Sequence, residues 1–118
     1  MNERDKIMIL IQELTGQKNI LTIPKIFIDI FGDHTTAIFL SQVIYWHSKV
    51  GRPFYKTYIE WKEEIGISER LLDKARIKLE GIVITERHRV NGENVLHYSI
   101  NYEKLADVIV TRSQTVPQ

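Results

Sequence analysis

Cysteine is absent from the 118 residues. That excludes a disulfide framework and a thiolate metal site, and it fits a reducing, cytoplasmic setting. Long apolar runs are lacking too: the N-terminal run Ile7 to Ile11 is cut by Gln12 and Glu13, too short for the core of a signal peptide, and no segment is suited to span a bilayer. Charge of one sign is the third absence. Sixteen basic residues stand against 15 acidic ones, a formal +1, so the chain has no global pull toward a polyanion and any nucleic-acid affinity must come from a local patch.

The chemical signatures of an enzyme are missing as well. There is no Gly-rich phosphate loop and no G-x-S-x-G setting for a nucleophile. The four histidines, His34, His47, His88 and His97, are scattered without an i, i+4 pair, so neither a metal nor another cofactor is expected. His97 reads as a packed strand residue sharing a face with Val95. Glu60, Glu63 and Glu64 read as a solvated helix face rather than an acid–base pair. The aromatic group Tyr45, Trp46, Phe54, Tyr55, Tyr58 and Trp61, with Arg52 and Lys56 beside it, has the makings of a stacking platform for single-stranded bases. Core packing is the stronger expectation, because Trp46 and Trp61 sit at helical apolar spacing.

What is present is a series of well-punctuated elements. Three prolines and six glycines fall where segments would begin or end. Ile7, Leu10, Ile11 and Leu14 give an amphipathic opening helix over Asp5 to Leu14, stopped by Gly16. After the short run "ILTI", Pro24 opens a helix that Gly32 closes. Asp33 caps the next segment, whose apolar residues from Ala37 to Trp46 surround the whole helical wheel, the mark of a central helix. "RPFYKT" is a short extended piece, and "YIEWKEEIG" is helical with Ile59 or Tyr58, Trp61 or Lys62, and Ile65 inward. Ser68 caps a second helix whose stripe Leu72, Ala75, Leu79 should pack on the helix before it, with Gly81 ending it. "IVITERHRV", the turn "NGEN" and "VLHYSIN" form a β-hairpin. "YEKLADVIV" is a last short helix before a polar tail.

This order predicts an α+β, mainly α fold: a winged helix-turn-helix with a two-stranded hairpin wing and extra N-terminal helices. The expected division is residues 1–20 as helix and connection, 21–110 as the winged domain and 111–118 as a tail or linker. In such a domain the helix after the turn, here residues 68–80, enters the major groove, and the wing, here 87–94, lies on the backbone. Arg70, Asp73, Lys74 and Ile77 face away from the packing stripe, with Ser68 and Lys78 at the two ends. Arg87 and Arg89 share one face of the wing, and Asn91 lies at its tip. Arginine grips guanine by two hydrogen bonds, an exposed isoleucine meets a thymine methyl, and wing arginines clamp phosphates. Residues 68–97 nevertheless hold six basic and five acidic side chains, and Arg70 and Lys74 have Glu69 and Asp73 within reach as partners.

The stretches "LSQVIYW" and "FYKTYIEWKEEIGIS", within a match running from about Leu21 to Leu105, resemble the N-terminal winged-helix domain of replication initiators and replisome organisers of phages, plasmids and integrated elements, relatives of the DnaD-like proteins. The resemblance implies binding of origin or fork DNA, often with self-association; of the two forms of DNA, duplex is the favoured expectation and single strand the alternative. It also implies a following domain that recruits a replicative helicase or its loader. It places Leu40, Ile44, Trp46 and Trp61 in the core. The expected function is therefore that of a non-enzymatic DNA-binding module in replication initiation, with a homodimer where the site is repeated or palindromic. The alternatives are a small transcriptional repressor and a protein-interaction module.

Overall fold

The computed structural model describes residues 2–15 and 21–115. Among them six helices and a three-stranded antiparallel sheet make an α+β, mainly helical protein. The elements are α1 (Glu3–Thr15), α2 (Lys25–Phe31), α3 (His34–Val50), β1 (Phe54–Tyr55), α4 (Tyr58–Ile65), α5 (Glu69–Lys78), β2 (Val83–Val90), β3 (Glu93–Ile100) and α6 (Tyr102–Thr115). No described helix is long and apolar enough to cross a membrane.

Helix α3 is the centre, as its all-round apolar wheel requires. Asp33 starts it by accepting the Thr36 N–H at 2.6 Å, an N-cap worth about 1 kcal/mol. Ala37, Phe39, Leu40 and Val43 are fully buried, and α2, α5, β1 and β3 all pack on this helix. The α5 stripe Leu72, Ala75, Leu79 is buried as expected. Its main partner, however, is α3 rather than the preceding α4, because the short α4 presents chiefly Trp61 to the core while α3 offers a long apolar side.

The extended piece at Phe54–Tyr55 is a true strand. It pairs with β3 through Phe54 opposite Tyr98 and Tyr55 opposite His97, so the sheet has three strands in the order β1-β3-β2 where the sequence predicted two. Strand patterns are weakest in so short a piece. The hairpin itself is as predicted: Asn91 and Gly92 adopt φ of 52° and 84°, the positive-φ pair that a two-residue turn needs to match strand twist. Beyond Val83 every β2 residue up to Arg89 is exposed, so the hairpin arm projects from the body.

Other boundaries differ modestly. Helix α1 begins two residues before the predicted Asp5 and ends at Thr15; the expected stop at Gly16 lies outside the described residues. Leu21 to Ile23 form no strand, and Ile20 of the same run is outside the described residues. Helix α5 closes at Lys78 with Leu79 as its cap, leaving Gly81 in the following turn. Helix α6 continues to Thr115, into the stretch expected to be a polar tail, because nothing in "TRSQT" breaks a helix.

Four rings form the heart of the core. Phe39, Phe54, Trp61 and Tyr98 come from α3, β1, α4 and β3, with centroids 5.1 to 6.4 Å apart. Beside them the Lys56 ammonium lies 4.1 Å from the Trp46 ring centroid and 4.7 Å from that of Trp61. It is ion-paired to Glu64, which also accepts the Trp46 indole N–H at 2.6 Å. Trp46 is therefore half-buried at the edge of the core rather than inside it, and Ile44 is likewise only partly buried. The predicted face of glutamates is divided: Glu64 is drawn inward by Lys56, whereas Glu60 closes a capping box with Thr57.

Lys56→Met should lower stability by about 3 kcal/mol, because it leaves the Glu64 carboxylate without its cation in a partly buried site. Adding Glu64→Gln should recover most of the loss in urea unfolding followed by tryptophan fluorescence; a double variant no more stable than Lys56→Met would refute this role for the pair.

Candidate nucleic-acid interface

Three anchors hold α5. Its buried stripe rests on α3, and its N-terminus follows a tight turn at Gly66 (φ 68°) with Ser68 Oγ accepting the Leu71 N–H at 3.3 Å. Its C-terminal end is tied to the α2–α3 junction: the Lys78 ammonium donates to the Phe31 carbonyl at 3.3 Å and pairs with the Asp33 carboxylate. Burial works to raise the Asp33 pKa, but Lys78 and two hydrogen bonds from Thr36 together hold it below the ordinary 3.8. One carboxylate thus caps α3 and fastens α5.

The side of α5 turned from the stripe carries Arg70, Lys74 and Ile77, all exposed, Ile77 at 71%. Asp73, on the same flank, is ion-paired with Arg76 at i, i+3. This corrects the pairing expected from sequence, since Asp73 is engaged by Arg76 instead of Arg70 or Lys74. Among the described residues neither Arg70 nor Lys74 forms an ion pair. Ser68, Asp73 and Lys78 all have structural partners, whereas Arg70, Lys74 and Ile77 face solvent.

The hairpin is anchored in the core by the buried Tyr98. Strand alternation puts Thr85, Arg87 and Arg89 on the face that also bears Leu96 and Tyr98. Burial raises the Tyr98 hydroxyl above its usual pKa, and the Trp61 indole and Arg76 oppose that shift. The Trp61 Nε1 itself is buried without a partner at hydrogen-bond geometry. Tyr98, on this sheet face, feels the charge of Arg76 on α5. Two residues per step along that face carry the chain about 7 Å further to Arg87 and about 14 Å to Arg89. Both arginines are exposed and, among the described residues, make no ion pair. Asn91, exposed at the tip, occupies the left-handed turn position.

The chain matches no protein-family model, no curated protein and no solved structure.

The opposite sheet face gathers residues that look unrelated in sequence. His88 and His97 have ring centroids 4.9 Å apart, Tyr55 lies 5.3 Å from His97, and Glu86 reaches His88 Nε2 at 3.1 Å. Only cross-strand register could reveal this pairing. No group of three His, Cys, Asp or Glu side chains among the described residues is placed to hold a metal. His97 is half-buried and on the face of Val95, as expected. The aromatic platform does not assemble: Phe54 and Trp61 are in the core, while Tyr45 and Tyr55 point outward from α3 and β1.

Asp33→Ala should cost about 1 kcal/mol through the lost cap alone. Because the folded-state pKa is lowered, the Asp33 contribution is present above the ordinary carboxylate value of 3.8 and is lost as pH falls through the lowered one. Parent and variant should accordingly converge in stability when urea unfolding is repeated at progressively lower pH.

Proposed function

We propose that the protein is a winged-helix DNA-binding module that acts in replication initiation. Helix α5 serves as the recognition element, and the β2–β3 hairpin as its wing. The observation that carries this reading is the pair of exposed cation sets that, among the described residues, have no carboxylate partner: Arg70 with Lys74 on α5 and Arg87 with Arg89 on one face of the hairpin.

In this reading Arg70 and Lys74, one helical turn apart, reach base edges and flanking phosphates in the major groove, with Ile77 against sugar or a thymine methyl. Arg87 and Arg89 meet phosphates along the arm, and Asn91 offers an amide at its tip. Ser68, Asp73 and Lys78 set the pose of α5, because their side chains are already engaged within the protein. Duplex is favoured over single strand, since the aromatics that would stack on bases are largely in the core. The assignment to replication rests on the resemblance of "LSQVIYW" and "FYKTYIEWKEEIGIS" to replisome organisers, which also suggests a helicase loader as partner of the wider system. No catalytic step enters the proposal.

Fluorescence anisotropy against a labelled random duplex and a labelled single strand, at low and near-physiological salt, tests it. Duplex should bind more tightly, and affinity should fall steeply with salt. Arg87→Ala with Arg89→Ala should flatten the log–log salt slope by about 1.8, roughly 0.9 per phosphate lost. Arg70→Ala with Lys74→Ala should weaken binding by about tenfold or more while leaving the urea midpoint nearly unchanged. Absence of binding to both probes at low salt would refute the reading.

A further inference from the structure

The outer face of the sheet brings together two imidazoles that the chain order keeps apart. Register sets Glu86 opposite His97 and His88 opposite Val95, and strand alternation turns all four to the side away from Arg87 and Arg89. Both rings reach solvent, His88 being exposed and His97 half-buried. Their hydrogen bonds fix their tautomers. His88 Nε2 lies 3.1 Å from a Glu86 carboxylate oxygen, and His97 Nδ1 lies 3.4 Å from the Val95 carbonyl oxygen. A carboxylate and a carbonyl only accept, so each of those ring nitrogens carries the proton and donates it. That leaves a bare lone pair on His88 Nδ1 and on His97 Nε2, the state in which an imidazole ligates a metal.

We propose that His88 and His97 form a binding site for a divalent transition ion, copper(II) ahead of zinc(II), with Glu86 as the carboxylate that orients His88. The spacing of the rings suits such an ion. Held by two imidazole nitrogens at about 2.0–2.1 Å, it stands about 3.2 Å from each ring centroid, which puts the centroids about 4.5 to 5.2 Å apart at bond angles between square and tetrahedral. The centroids of His88 and His97 are 4.9 Å apart. Metal-binding histidines commonly give their other ring N–H to a carboxylate or a backbone carbonyl; His88 has the one partner and His97 the other. Among the described residues no set of three His, Cys, Asp or Glu groups is assembled, so water fills the remaining positions and the ion is exchangeable. Imidazole donors favour copper(II) over zinc(II), while magnesium prefers oxygen ligands. The ion fastens β2 to β3 midway along the projecting hairpin, on the face opposite the arginines, and the site stands independently of the DNA-binding reading.

Calorimetric titration of the full chain with copper(II), zinc(II) and magnesium chlorides tests the proposal. The parent should bind one copper(II) ion per chain, zinc(II) more weakly and magnesium not at all. His88→Ala and His97→Ala, each with the near-ultraviolet circular dichroism of the parent, should weaken copper(II) binding by about a hundredfold, since the second tethered donor is lost. His34→Ala with His47→Ala should bind as the parent does. Glu86→Ala should weaken binding by about tenfold, and Glu86→Gln, which still accepts the His88 N–H, by much less. On the parent itself, copper(II) should broaden the ring-proton resonances of His88 and His97 and spare those of His34 and His47. A parent that binds neither copper(II) nor zinc(II) would overturn the proposal, as would broadening confined to His34 and His47 or parent-like affinity in both histidine variants. Equal losses in Glu86→Ala and Glu86→Gln would overturn the orienting role of Glu86.

Discussion

The Lys56 ammonium, enclosed by two indoles and a carboxylate, is the contact on which the arrangement of this protein turns. It draws together Trp46 of α3 and Trp61 and Glu64 of α4, while its own backbone follows β1 directly. A charge in such a place is tolerable only because both the π-faces and the anion compensate its lost hydration. Its position brings Phe54 of β1 over Tyr98 of β3, with rings 5.7 Å apart and stacked at 26°. The central strand of the sheet is thereby registered against the central helix, and the direction of the hairpin follows.

A second polar tie sets the surface. Arg76 engages Asp73 on the α5 flank, and Lys78 with Asp33 ties the C-terminal end of the same helix to the α2–α3 junction. Side chains used in this way contribute orientation, while those left over provide the free charge. The nearly neutral balance of residues 68–97 thus conceals an ordered division: Arg76 and Lys78 are engaged internally, whereas Arg70, Lys74, Arg87 and Arg89 are open to solvent. A net charge close to zero is compatible with a local cationic surface when the anions are turned to structural use. Even so, Glu69, Glu80 and Glu93 remain exposed nearby, so any affinity generated by this surface must depend on geometry more than on bulk field.

The apolar surplus of the molecule is similarly localised. Helix α3 consumes its all-round apolar surface within the body, but α1 keeps its stripe in solvent.

Elements with local signals were legible in the sequence. The caps at Asp33 and Ser68, the Asn-Gly turn and the stripes of α1 and α5 depend on neighbours within a few residues, and the backbone has little alternative once those residues are in place. Three-dimensional pairing decided the rest. Phe54 and Tyr55 became a third strand because β3 offered an open edge; His88 met His97 through register; Lys78 of α5 met Asp33 at the start of α3. Glu64, one of three similar glutamates in the sequence, became half-buried because Lys56 arrived from a different element. The candidate site was visible in its residues, Arg70, Lys74, Arg87 and Arg89, but not in which of them would remain free. By itself the sequence determined the helices and the hairpin, both properties of short range. Only the tertiary structure decided which charges were neutralised and which faces adjoin, because those depend on contacts between residues as far apart as Asp33 and Lys78.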